Sequence, residues 1–473
     1  MKKIICLAGA AFLHFIVHSN SAYGQSKIKA YFNHPVNTSV STGVDAVYLA
    51  SGTMADTIVA YINRAKYTLD IAQYDYNQDS YYGSYANIAT AVNNAYSRGV
   101  TVRWIYDGSS SNTGLSALNS GIHTLPRPET SSGAIMHNKF IIIDANSTNP
   151  DDAIVFTGSA DWSSEMFYKD YNNVLFIQDS ALAYAYTAEF NMMWGSTTAT
   201  PNASLAKFGS AKTDLGLHTF TVAGHTVELY FSPSDNTDTH ISNTILTANT
   251  DLYVGVYCFT RTGDADNIVS MKNNGVYTLA TVDQYTQTSS PSVNSILSSG
   301  LGTNYIVYHT SYIYHNKMMI VDPSNTCSDP MVLTGSHNWT SSANTINDEN
   351  IVIVHNDTLA NIYYQSYVAD FVNIGGGSFT PVTGCGDTVT ASGVQTINNT
   401  DNAVAIYPNP ASTELTITGK EKITSVIITN VLGQTVCNNA YNAAQVYMDV
   451  ATLPAGVYTA RINGSIIKKF IKE

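Results

Sequence analysis

The chain has few charged residues, and positive charge is the scarcer sign. Only 12% of its 473 residues are charged, and 22 Lys and Arg stand against 35 Asp and Glu, which gives a formal net charge of −13. Non-specific nucleic-acid binding and polybasic membrane attachment both need clustered Lys and Arg. The composition therefore argues against both of these classes, although it leaves room for a small basic pocket inside an acidic body.

Cysteine is also scarce, and its spacing excludes the usual zinc sites. Of the five cysteines, Cys6 lies near the amino terminus, and the others are Cys258, Cys327, Cys385 and Cys437. None forms a C-x2-C pair, which structural zinc sites commonly contain. A disulfide such as Cys327–Cys385 and free buried thiols are both compatible with the sequence, because pairing cannot be deduced from it.

Long apolar runs are absent except at the start of the chain. Lys2 and Lys3 precede an apolar stretch, 4–17, and Ala22-Tyr23-Gly24 offers a small-x-small cleavage site. The stretch is shorter than the roughly 20 residues that span a bilayer. We therefore predict a signal peptide over residues 1–24 and an exported mature protein.

What the chain does contain is a long internal repeat. Tyr31-Phe32 returns as Tyr230-Phe231, and each copy continues with an alternation of predicted helices and strands. The predicted elements of copy one are helix 54–66, strand 68–74, helix 88–98, strand 102–107, strand 174–177 and helix 181–194. Those of copy two are helix 239–248, strand 251–257, helix 267–274, strand 277–283, strand 351–354 and helix 359–371. Strand–helix–strand successions are typical of crossover units. We predict an α/β fold with two similar lobes, 25–205 and 206–376, each a mixed sheet flanked by helices.

The remaining residues differ in composition from the lobes. Residues 377–402 are rich in Thr, Gly, Ser and Asn, which is typical of a linker. In 403–473, short alternating runs are separated by turn-forming residues such as Pro408-Asn409-Pro410. This spacing predicts a small β-sandwich at the carboxyl end.

Both copies contain the pattern His-x-Lys-x4-Asp at equivalent places. The two instances are His137/Lys139/Asp144 and His315/Lys317/Asp322, each within an apolar run that predicts a buried strand. Residues two apart on a strand share a face, so each His points the same way as its Lys. The Asp has the opposite parity, and we therefore predict that Asp144 and Asp322 support the strand end by hydrogen bonds.

Further polar residues follow each pattern at matching positions. Thr-Gly-Ser comes next in both copies and supplies Ser159 and Ser336. Asp161 then corresponds to Asn338, and Asn172 corresponds to Glu349, with the same spacing of eleven positions in both copies. Ser and Asn near a Gly can donate to phosphate oxygens, and a carboxylate such as Glu349 can fix the tautomer of a histidine. His337 lies in the same turn and is either a buried structural residue or part of the site wall.

Two His and two Lys suit the cleavage of a phosphodiester without a metal or cofactor. One His attacks phosphorus and forms a phosphohistidine, while the other protonates the leaving alcohol and then activates water. The two Lys hold the non-bridging oxygens. The His residues need different protonation states, which unequal partners such as Glu349 and Asn172 can provide.

These residues resemble the phospholipase D superfamily, over about residues 28–375. The resemblance implies that His137 and His315 are nucleophile and general acid/base, with His137 favoured as the nucleophile, and that Lys139 and Lys317 bind phosphate. It also implies phosphate binding by Ser159, Ser336 and Asn338, and orientation of a histidine by Glu349. Copy one departs from the family pattern, because Asp161 stands where Asn is usual and Asn172 where an acid is usual. Asp161, at the phosphate-binding position, brings negative charge there.

The tail resembles the C-terminal sorting domain of type IX secretion. The matching segments are Tyr407-Pro408-Asn409-Pro410-Ala411, Leu453-Pro454-Ala455-Gly456-Val457-Tyr458 and Lys468-Lys469-Phe470-Ile471-Lys472. The resemblance implies export across the outer membrane of a Gram-negative host and recognition by that secretion machinery. A sugar-binding or adhesive module is the alternative.

Three functions fit these observations. The first is a secreted phospholipase D acting on phospholipids, the second is a secreted endonuclease with the same chemistry, and the third is an inactive surface protein. The acidic composition favours lipid, and the intact His and Lys of both copies argue against inactivity. Because both motifs lie in one chain, we expect a monomer, secreted or held at the cell surface.

Overall fold

The computed structural model describes residues 26–50, 52–77, 88–377, 404–430, 435–454, 456–463 and 466–472. The chain divides into two compact units, 1–389 and 390–473. The predicted signal peptide (1–24) and all but the first residue of the predicted linker (377–402) lie outside the described residues, so these domain boundaries stay predictions.

The first lobe is an eight-stranded mixed sheet. Its strands are β1 (Ile28–Phe32), β2 (Val47–Tyr48), β3 (Thr68–Gln73), β4 (Thr101–Asp107), β5 (His123–Arg127), β6 (Lys139–Ile143), β7 (Ile154–Gly158) and β8 (Asn173–Ile177). Its helices are α1 (Thr53–Ile62), α2 (Ile88–Ser97), α3 (Ser164–Tyr168) and α4 (Ser180–Trp194). The strand order is β2-β1-β8-β7-β6-β3-β4-β5, with β3, β4 and β5 parallel and β6 antiparallel to β3. The fully buried β6 therefore lies in the middle of the sheet.

The second lobe repeats this plan. Its strands are β9 (Thr219–Val222), β10 (His225–Ser232), β11 (Asp251–Val256), β12 (Tyr277–Asp283), β13 (Tyr305–Tyr308), β14 (Lys317–Val321), β15 (Met331–Gly335) and β16 (Glu349–His355). Its helices are α5 (Thr237–Leu246), α6 (Thr262–Asn273), α7 (Gln284–Ser289), α8 (Pro291–Leu301), α9 (Ser341–Thr345) and α10 (Asp357–Asn373). The order β13-β12-β11-β14-β15-β16-β10 matches that of the first lobe strand for strand, and only the outermost strands, β2 and β9, differ. The predicted α/β fold with two similar lobes is confirmed.

The two lobes share one hydrophobic core. Helix α10 packs against β11, β14 and β15 of its own lobe and against β1 of the first lobe. Residues 359–371 of α10 are all buried, and they include the polar side chains of Asn361, Gln365 and Asp370 beside aromatic and aliphatic ones. Aromatic rings continue the core across the lobes, since Tyr186 lies 5.0 Å from Phe140 and 5.2 Å from Phe231 between ring centroids. The lobes are therefore parts of one packed body.

The second unit is a five-stranded antiparallel sheet with its own core. Its strands are β17 (Val404–Tyr407), β18 (Glu414–Asn430), β19 (Thr435–Asp449), β20 (Gly456–Ile462) and β21 (Ile466–Lys472). The long pair β18–β19 contains register shifts, which bend strands and let a sheet curl around a core. That core includes Leu415, Val426, Ile428 and Phe470. The predicted small β-domain at this end of the chain is confirmed.

Two sequence questions are answered by the described residues. Cys327 is disulfide-bonded, whereas Cys258 and Cys437 are free thiols. Cys385, the partner suggested above, lies outside the described residues. Along the described segments, no helix has both the length and the apolarity that crossing a membrane requires.

Candidate active site

Each His-x-Lys pair lies where a central strand begins. Lys139 and Lys317 are the first residues of β6 and β14, and His137 and His315 each lie two residues earlier in the chain. Each Lys Nζ donates back to the carbonyl oxygen of its own His, at 3.0 Å in copy one and 2.8 Å in copy two. All four side chains are buried. Each Lys amino group is therefore held against the main chain of its own His.

The two histidine rings are held by acceptors from the opposite lobe. His137 Nδ1 lies 2.7 Å from Glu349 Oε2, and His315 Nδ1 lies 3.0 Å from Asn172 Oδ1. The partner predicted from each copy thus orients the histidine of the other copy. The site is therefore assembled from both lobes.

The backbone accounts for this crossing. His137 N–H donates to Asp348 C=O at 2.9 Å, one residue before Glu349. In the other half, Tyr171 N–H donates to Ile313 C=O, also at 2.9 Å, one residue before Asn172. The main chain at or just before each histidine is thus hydrogen-bonded to the residue that precedes its acceptor in the other lobe.

The amide of Asn172 determines the tautomer of His315. Its Nδ2 donates to the carbonyl oxygens of Met166 at 3.0 Å and Asp170 at 3.2 Å, which leaves Oδ1 facing the ring. Because Oδ1 can only accept, the His315 Nδ1 must carry hydrogen. The Nε2 of neutral His315 therefore keeps a free lone pair.

The two serines of the Thr-Gly-Ser turns lie behind the histidine partners. Ser159 Oγ donates to Asn172 Oδ1 at 2.9 Å, and Ser336 Oγ donates to Glu349 Oε2 at 2.8 Å. A hydroxyl has a single proton to donate, so both serines use it to fix these acceptors. The glycine before Ser159, Gly158, has φ of 153°, and a Cβ on it would collide with the carbonyl oxygen of Asn173. Glycine is therefore needed for this turn to reach the neighbouring strand.

Burial and charge make the two halves of the site electrostatically different. Burial lowers the pKa of His315 well below its usual value, and the nearby charges of Lys317, Lys139 and His137 lower it further. Burial likewise lowers the pKa of Lys317 well below its usual range. Burial alone would raise the pKa of Glu349, but the charge and hydrogen bond of His137 outweigh it and hold this pKa below its usual value. Glu349 is therefore held ionised beside His137, whereas His315 is held neutral.

Asp161 lies between a lysine and a histidine of the site. Its Oδ1 is 3.0 Å from Lys139 Nζ, and its Oδ2 is 3.8 Å from His315 Nε2. Its counterpart Asn338 borders an open cleft, and the Oδ1 of that side chain has no hydrogen-bond partner among the described residues. The two halves thus differ by one charge at equivalent positions.

Asp144 and Asp322 are located at the opposite ends of their strands. The Asp144 carboxylate accepts hydrogen bonds of 2.7 to 3.1 Å from the backbone N–H groups of Lys66, Tyr67 and Thr68. The Asp322 carboxylate accepts equivalent bonds from Asn249, Thr250 and Asp251. Both Asp residues have left-handed φ values, 53° and 49°. They close the end of β6 and β14 and do not join the His and Lys groups.

Two tyrosines that lie outside the sequence motifs complete the site. The Tyr74 ring lies 4.9 Å from the His137 ring, and the Tyr257 ring lies 5.2 Å from the His315 ring, between centroids. The Nζ atoms of Lys139 and Lys317 lie 5.1 and 5.3 Å from the same rings. The sequence did contain a signal for them, because both tyrosines follow the equivalent strands β3 and β11.

The tyrosines border a cleft of about 540 Å³ whose described lining residues are all uncharged. Its lining consists of aromatic, hydroxyl and small polar groups, namely Tyr74, Ile135, Tyr257, Cys258, Thr260, Tyr285, Ser289, Asn338, Thr340, Ser341 and Ser342. Burial raises the pKa of the Cys258 thiol to about 11, so this thiol is protonated at neutral pH. The cleft is therefore polar but uncharged.

His337 is a buried residue of the turn and does not border this cleft. Its Nε2 lies 3.0 Å from Thr237 Oγ1, and burial lowers its pKa to about 4. Within the described residues, one group of three side chains has the spacing to hold a metal ion, namely Asp214, His218 and Asp235. It includes none of the His and Lys residues of the candidate site.

Comparison with known proteins agrees with this geometry. The profile of the family described as "Cardiolipin synthase, PLD-like domain" matches residues 58–194 and 241–370, once in each lobe. The profile of the "Secretion system C-terminal sorting domain" matches residues 405–473.

Individual relatives match part of the chain. The mitochondrial cardiolipin hydrolase of Drosophila melanogaster is 29% identical over 153 residues, which are 29% of this chain and 57% of the relative. A phospholipase D of Rickettsia felis is 34% identical over 123 residues, which are 25% of this chain and 56% of the relative. The chain thus spans little more than half the length of these relatives. Among solved structures, the phospholipase D family member Nuc from Salmonella typhimurium aligns with a TM-score of 0.27 and 25% identity, over 32% of this chain and 95% of that one.

Proposed function

Because the chain belongs to the family of cardiolipin synthase, PLD-like domains, we propose that it is an exported phosphodiesterase that hydrolyses phospholipids through a phosphohistidine. The observation that carries the proposal is the crossed orientation of two buried histidines, each tethered at Nδ1 by the other lobe. With Nδ1 engaged in both rings, Nε2 is the nitrogen through which each histidine would act on one shared phosphate. The carboxyl-terminal sorting domain indicates export, to the cell surface or the medium.

His315 is the proposed nucleophile, in contrast to the expectation from the family resemblance, which favours His137. An attacking imidazole has to be neutral, and burial next to Lys317 and Lys139 keeps the pKa of His315 low. Its Nε2 attacks phosphorus while the bond to the leaving alcohol oxygen breaks. The product of this step is a phosphohistidine and a free alcohol.

His137 is the proposed general acid. Its Nδ1–H faces the Glu349 carboxylate, which stabilises the imidazolium form. The imidazolium gives its Nε2 proton to the departing alcohol and becomes neutral. It then removes a proton from water, which attacks phosphorus, breaks the bond to His315 and leaves a phosphate monoester. Two displacements at phosphorus retain its configuration.

Lys139 and Lys317 are proposed to hold the non-bridging oxygens. Both lysine side chains are buried beside the histidines, where charge is weakly screened and its effect on a transition state is large. A bound phosphate anion favours the ammonium form of Lys317 and so opposes the burial that lowers its pKa. Ser159 and Ser336 contribute by fixing Asn172 and Glu349. This chemistry requires no metal or cofactor.

The composition of the cleft favours a lipid over a nucleic acid. A nucleic-acid strand presents phosphates on both sides of the scissile bond, and proteins bind them with basic grooves. The described residues of the cleft wall include no Lys or Arg, and their aromatic and hydroxyl groups suit a headgroup carried by a single phosphate. The names of the relatives, cardiolipin hydrolase and phospholipase D, point to the same substrate class.

The test compares the two substrate classes directly. Purified protein is incubated with phosphatidylcholine and cardiolipin vesicles and, separately, with plasmid and single-stranded DNA, all in the presence of EDTA. We expect release of the headgroup alcohol, with DNA left intact. DNA cleavage without lipid hydrolysis would replace the lipid assignment by an endonuclease, and inactivity on both would point to a surface protein without catalysis. His315→Ala and His137→Ala are the controls, because each must abolish turnover of the natural substrate.

A further inference from the structure

We propose that Asp161 sets the charge selectivity of the phosphate site, so that singly charged phosphodiesters bind in preference to doubly charged phosphate monoesters. The inference rests on the proposed phosphodiesterase function. Asp161 is a residue at which this chain departs from the family pattern, which usually has Asn at this position.

The position of the carboxylate carries the argument. Asp161 Oδ1 lies 3.0 Å from Lys139 Nζ, and Asp161 Oδ2 lies 3.8 Å from His315 Nε2. Lys139 Nζ belongs to the cation proposed to hold a phosphate oxygen, and His315 Nε2 is the proposed attacking nitrogen. A bound phosphate must touch both, so it has to come within a few ångströms of the Asp161 charge.

Several titratable groups surround the Asp161 carboxylate. Those facing it are Lys139, Lys317, His315, Tyr74 and Asp75. Burial, and then the negative charge of Asp161, raise the pKa of Asp75 to about 8, so Asp75 is neutral at pH 7. The ion pair with Lys139 therefore belongs to Asp161 alone.

The second copy provides an internal comparison. Asn338 occupies the position equivalent to Asp161, and its Oδ1 has no hydrogen-bond partner among the described residues. The amide can turn its donor toward a phosphate without repulsion. A phosphate thus meets an amide on one side and a carboxylate on the other.

Coulomb's law relates this asymmetry to ligand charge. The repulsion between Asp161 and a bound anion is proportional to the charge of that anion. If the repulsion weakens binding of a monoanion about tenfold, it weakens binding of a dianion about a hundredfold, since free energies add and affinities multiply. The substrate diester is a monoanion, whereas the monoester product loses a second proton near pH 6. Asp161 therefore favours release of the product.

The experiment measures anion binding without turnover. The full chain and its Asp161→Asn variant are titrated calorimetrically at pH 7 with dimethyl phosphate, a monoanion, and with sulfate, a dianion. The variant should bind dimethyl phosphate about tenfold and sulfate about a hundredfold more tightly than the unmodified chain. Equal affinities, or an equal gain for the two anions, would overturn the proposal.

Two further variants serve as matched controls. Asp75→Asn removes a neighbouring carboxyl that is already neutral at pH 7, and it should change neither affinity by more than about twofold. Asn338→Asp adds a carboxylate at the equivalent position and should weaken sulfate more than dimethyl phosphate, which also tests the proposal if Asp161→Asn does not fold. Because these titrations require no catalysis, lack of lipid hydrolysis would contradict the proposed substrate and leave the selectivity result standing.

Discussion

The two histidines differ mainly in the group that holds each ring. A carboxylate holds His137 and an amide holds His315, although the two copies are otherwise alike in sequence order. A carboxylate stabilises an imidazolium, whereas an amide oxygen fixes the tautomer without adding charge. The duplicated motif alone would give the two histidines equivalent roles. Their different partners, Glu349 and Asn172, make those roles different.

The first prediction uses a leaving group that needs no acid. With a p-nitrophenyl phosphodiester, His137→Ala should still release one equivalent of p-nitrophenol per site in a burst, because p-nitrophenolate departs unprotonated. His315→Ala should give no burst, since the attacking nitrogen is lost. The measurement is stopped-flow absorbance, with an alkaline quench to detect the phosphorylated residue, because the P–N bond of phosphohistidine is stable in alkali and labile in acid. A burst in His315→Ala and none in His137→Ala would reverse the assignment.

The second prediction concerns pH and the variant Asn172→Asp. In the unmodified chain burial and cations lower the pKa of His315, so the acidic limb of kcat/KM should lie well below pH 6.5. A carboxylate at residue 172 favours the imidazolium and raises the pKa of His315, so the neutral nucleophile is lost at higher pH. The acidic limb should therefore move up by about one to two pH units.

The reciprocal variant checks this interpretation. In Glu349→Gln the imidazolium of His137 loses its carboxylate, and the basic limb of kcat/KM should move to lower pH while the acidic limb stays. Profiles between pH 4 and pH 9 measure both variants with phosphatidylcholine, whose leaving alcohol has to be protonated and therefore shows both limbs. If both move the same limb, the two histidines do not have separate roles.

At this scale the sequence predicted the residue types and their spacing. It predicted that His and Lys share a face because that follows from strand geometry alone. It did not predict that Glu349 is the hydrogen-bond partner of His137, because a repeat aligns equivalent positions and contains no information on contacts between copies. Nor did it predict that the serine hydroxyls point to Asn172 and Glu349, since hydroxyl direction depends on neighbours that are distant in sequence.

At the scale of elements, the strand end after each motif depends on one aspartate. The Asp144 carboxylate receives three backbone N–H groups that follow helix α1 and open β3. Such charge-assisted bonds are shorter and stronger than neutral ones. Asp144, the last residue of the sequence motif, therefore has a structural role.

The third prediction follows from this position. Asp144→Asn keeps a residue that tolerates the left-handed φ of 53° but removes the charge and half of the acceptors. The free energy of unfolding should fall by about 1–3 kcal/mol, and kcat of the folded enzyme should stay within about twofold. Urea unfolding and lipid turnover measure the two quantities. A large fall in kcat with unchanged stability would place Asp144 in the chemistry instead.

Most elements agree with the sequence pattern, and the exceptions have a physical reason. Helix α1 was predicted over 54–66 and spans Thr53–Ile62, and α10 was predicted over 359–371 and spans Asp357–Asn373. Helices α7 and α8 were not predicted, because Ser and Thr dominate them and these residues favour turns over helix interiors. In α8 the buried Val293, Leu297 and Leu301 recur every four residues, and the helix packs on α6. That spacing was the overlooked signal.

At the scale of the whole molecule, a buried ionic network ties the lobes together at the site. Asp348 accepts from Arg127 Nε at 2.8 Å and lies 3.2 Å from Lys212 Nζ, which is also 2.6 Å from Glu189. Arg127 ends β5 of the first lobe, and Lys212 lies in the segment that leads into the second. Burial and the charges of Lys212 act in opposite directions on the pKa of Glu189, and burial prevails and raises it. The network thus depends on full pairing of its charges.

The sequence could not reveal this network. Arg127, Lys212 and Asp348 are far apart along the chain, and Tyr171, not an acid, occupies the position of Asp348 in copy one. No repeat or spacing marks them, so only the packed arrangement of the lobes brings them together. Their burial matters for function because the main chain of Asp348 also holds His137.

The last prediction concerns the two roles of Asp348, whose side chain pairs with Arg127 and whose main chain accepts a hydrogen bond from His137. Asp348→Asn leaves Arg127 without its carboxylate in a buried position, and breaking such a pair is strongly destabilising, by about 3–5 kcal/mol. Asp151→Asn is the matched control, because its pair with Lys27 is exposed and contributes about 1 kcal/mol or less. If the lobes are coupled as described, Asp348→Asn should lower the unfolding free energy and kcat together, since the segment that positions His137 loses its support. Denaturant unfolding and lipid turnover test this, and a loss no larger than that of Asp151→Asn would mean that the lobes do not rely on this network.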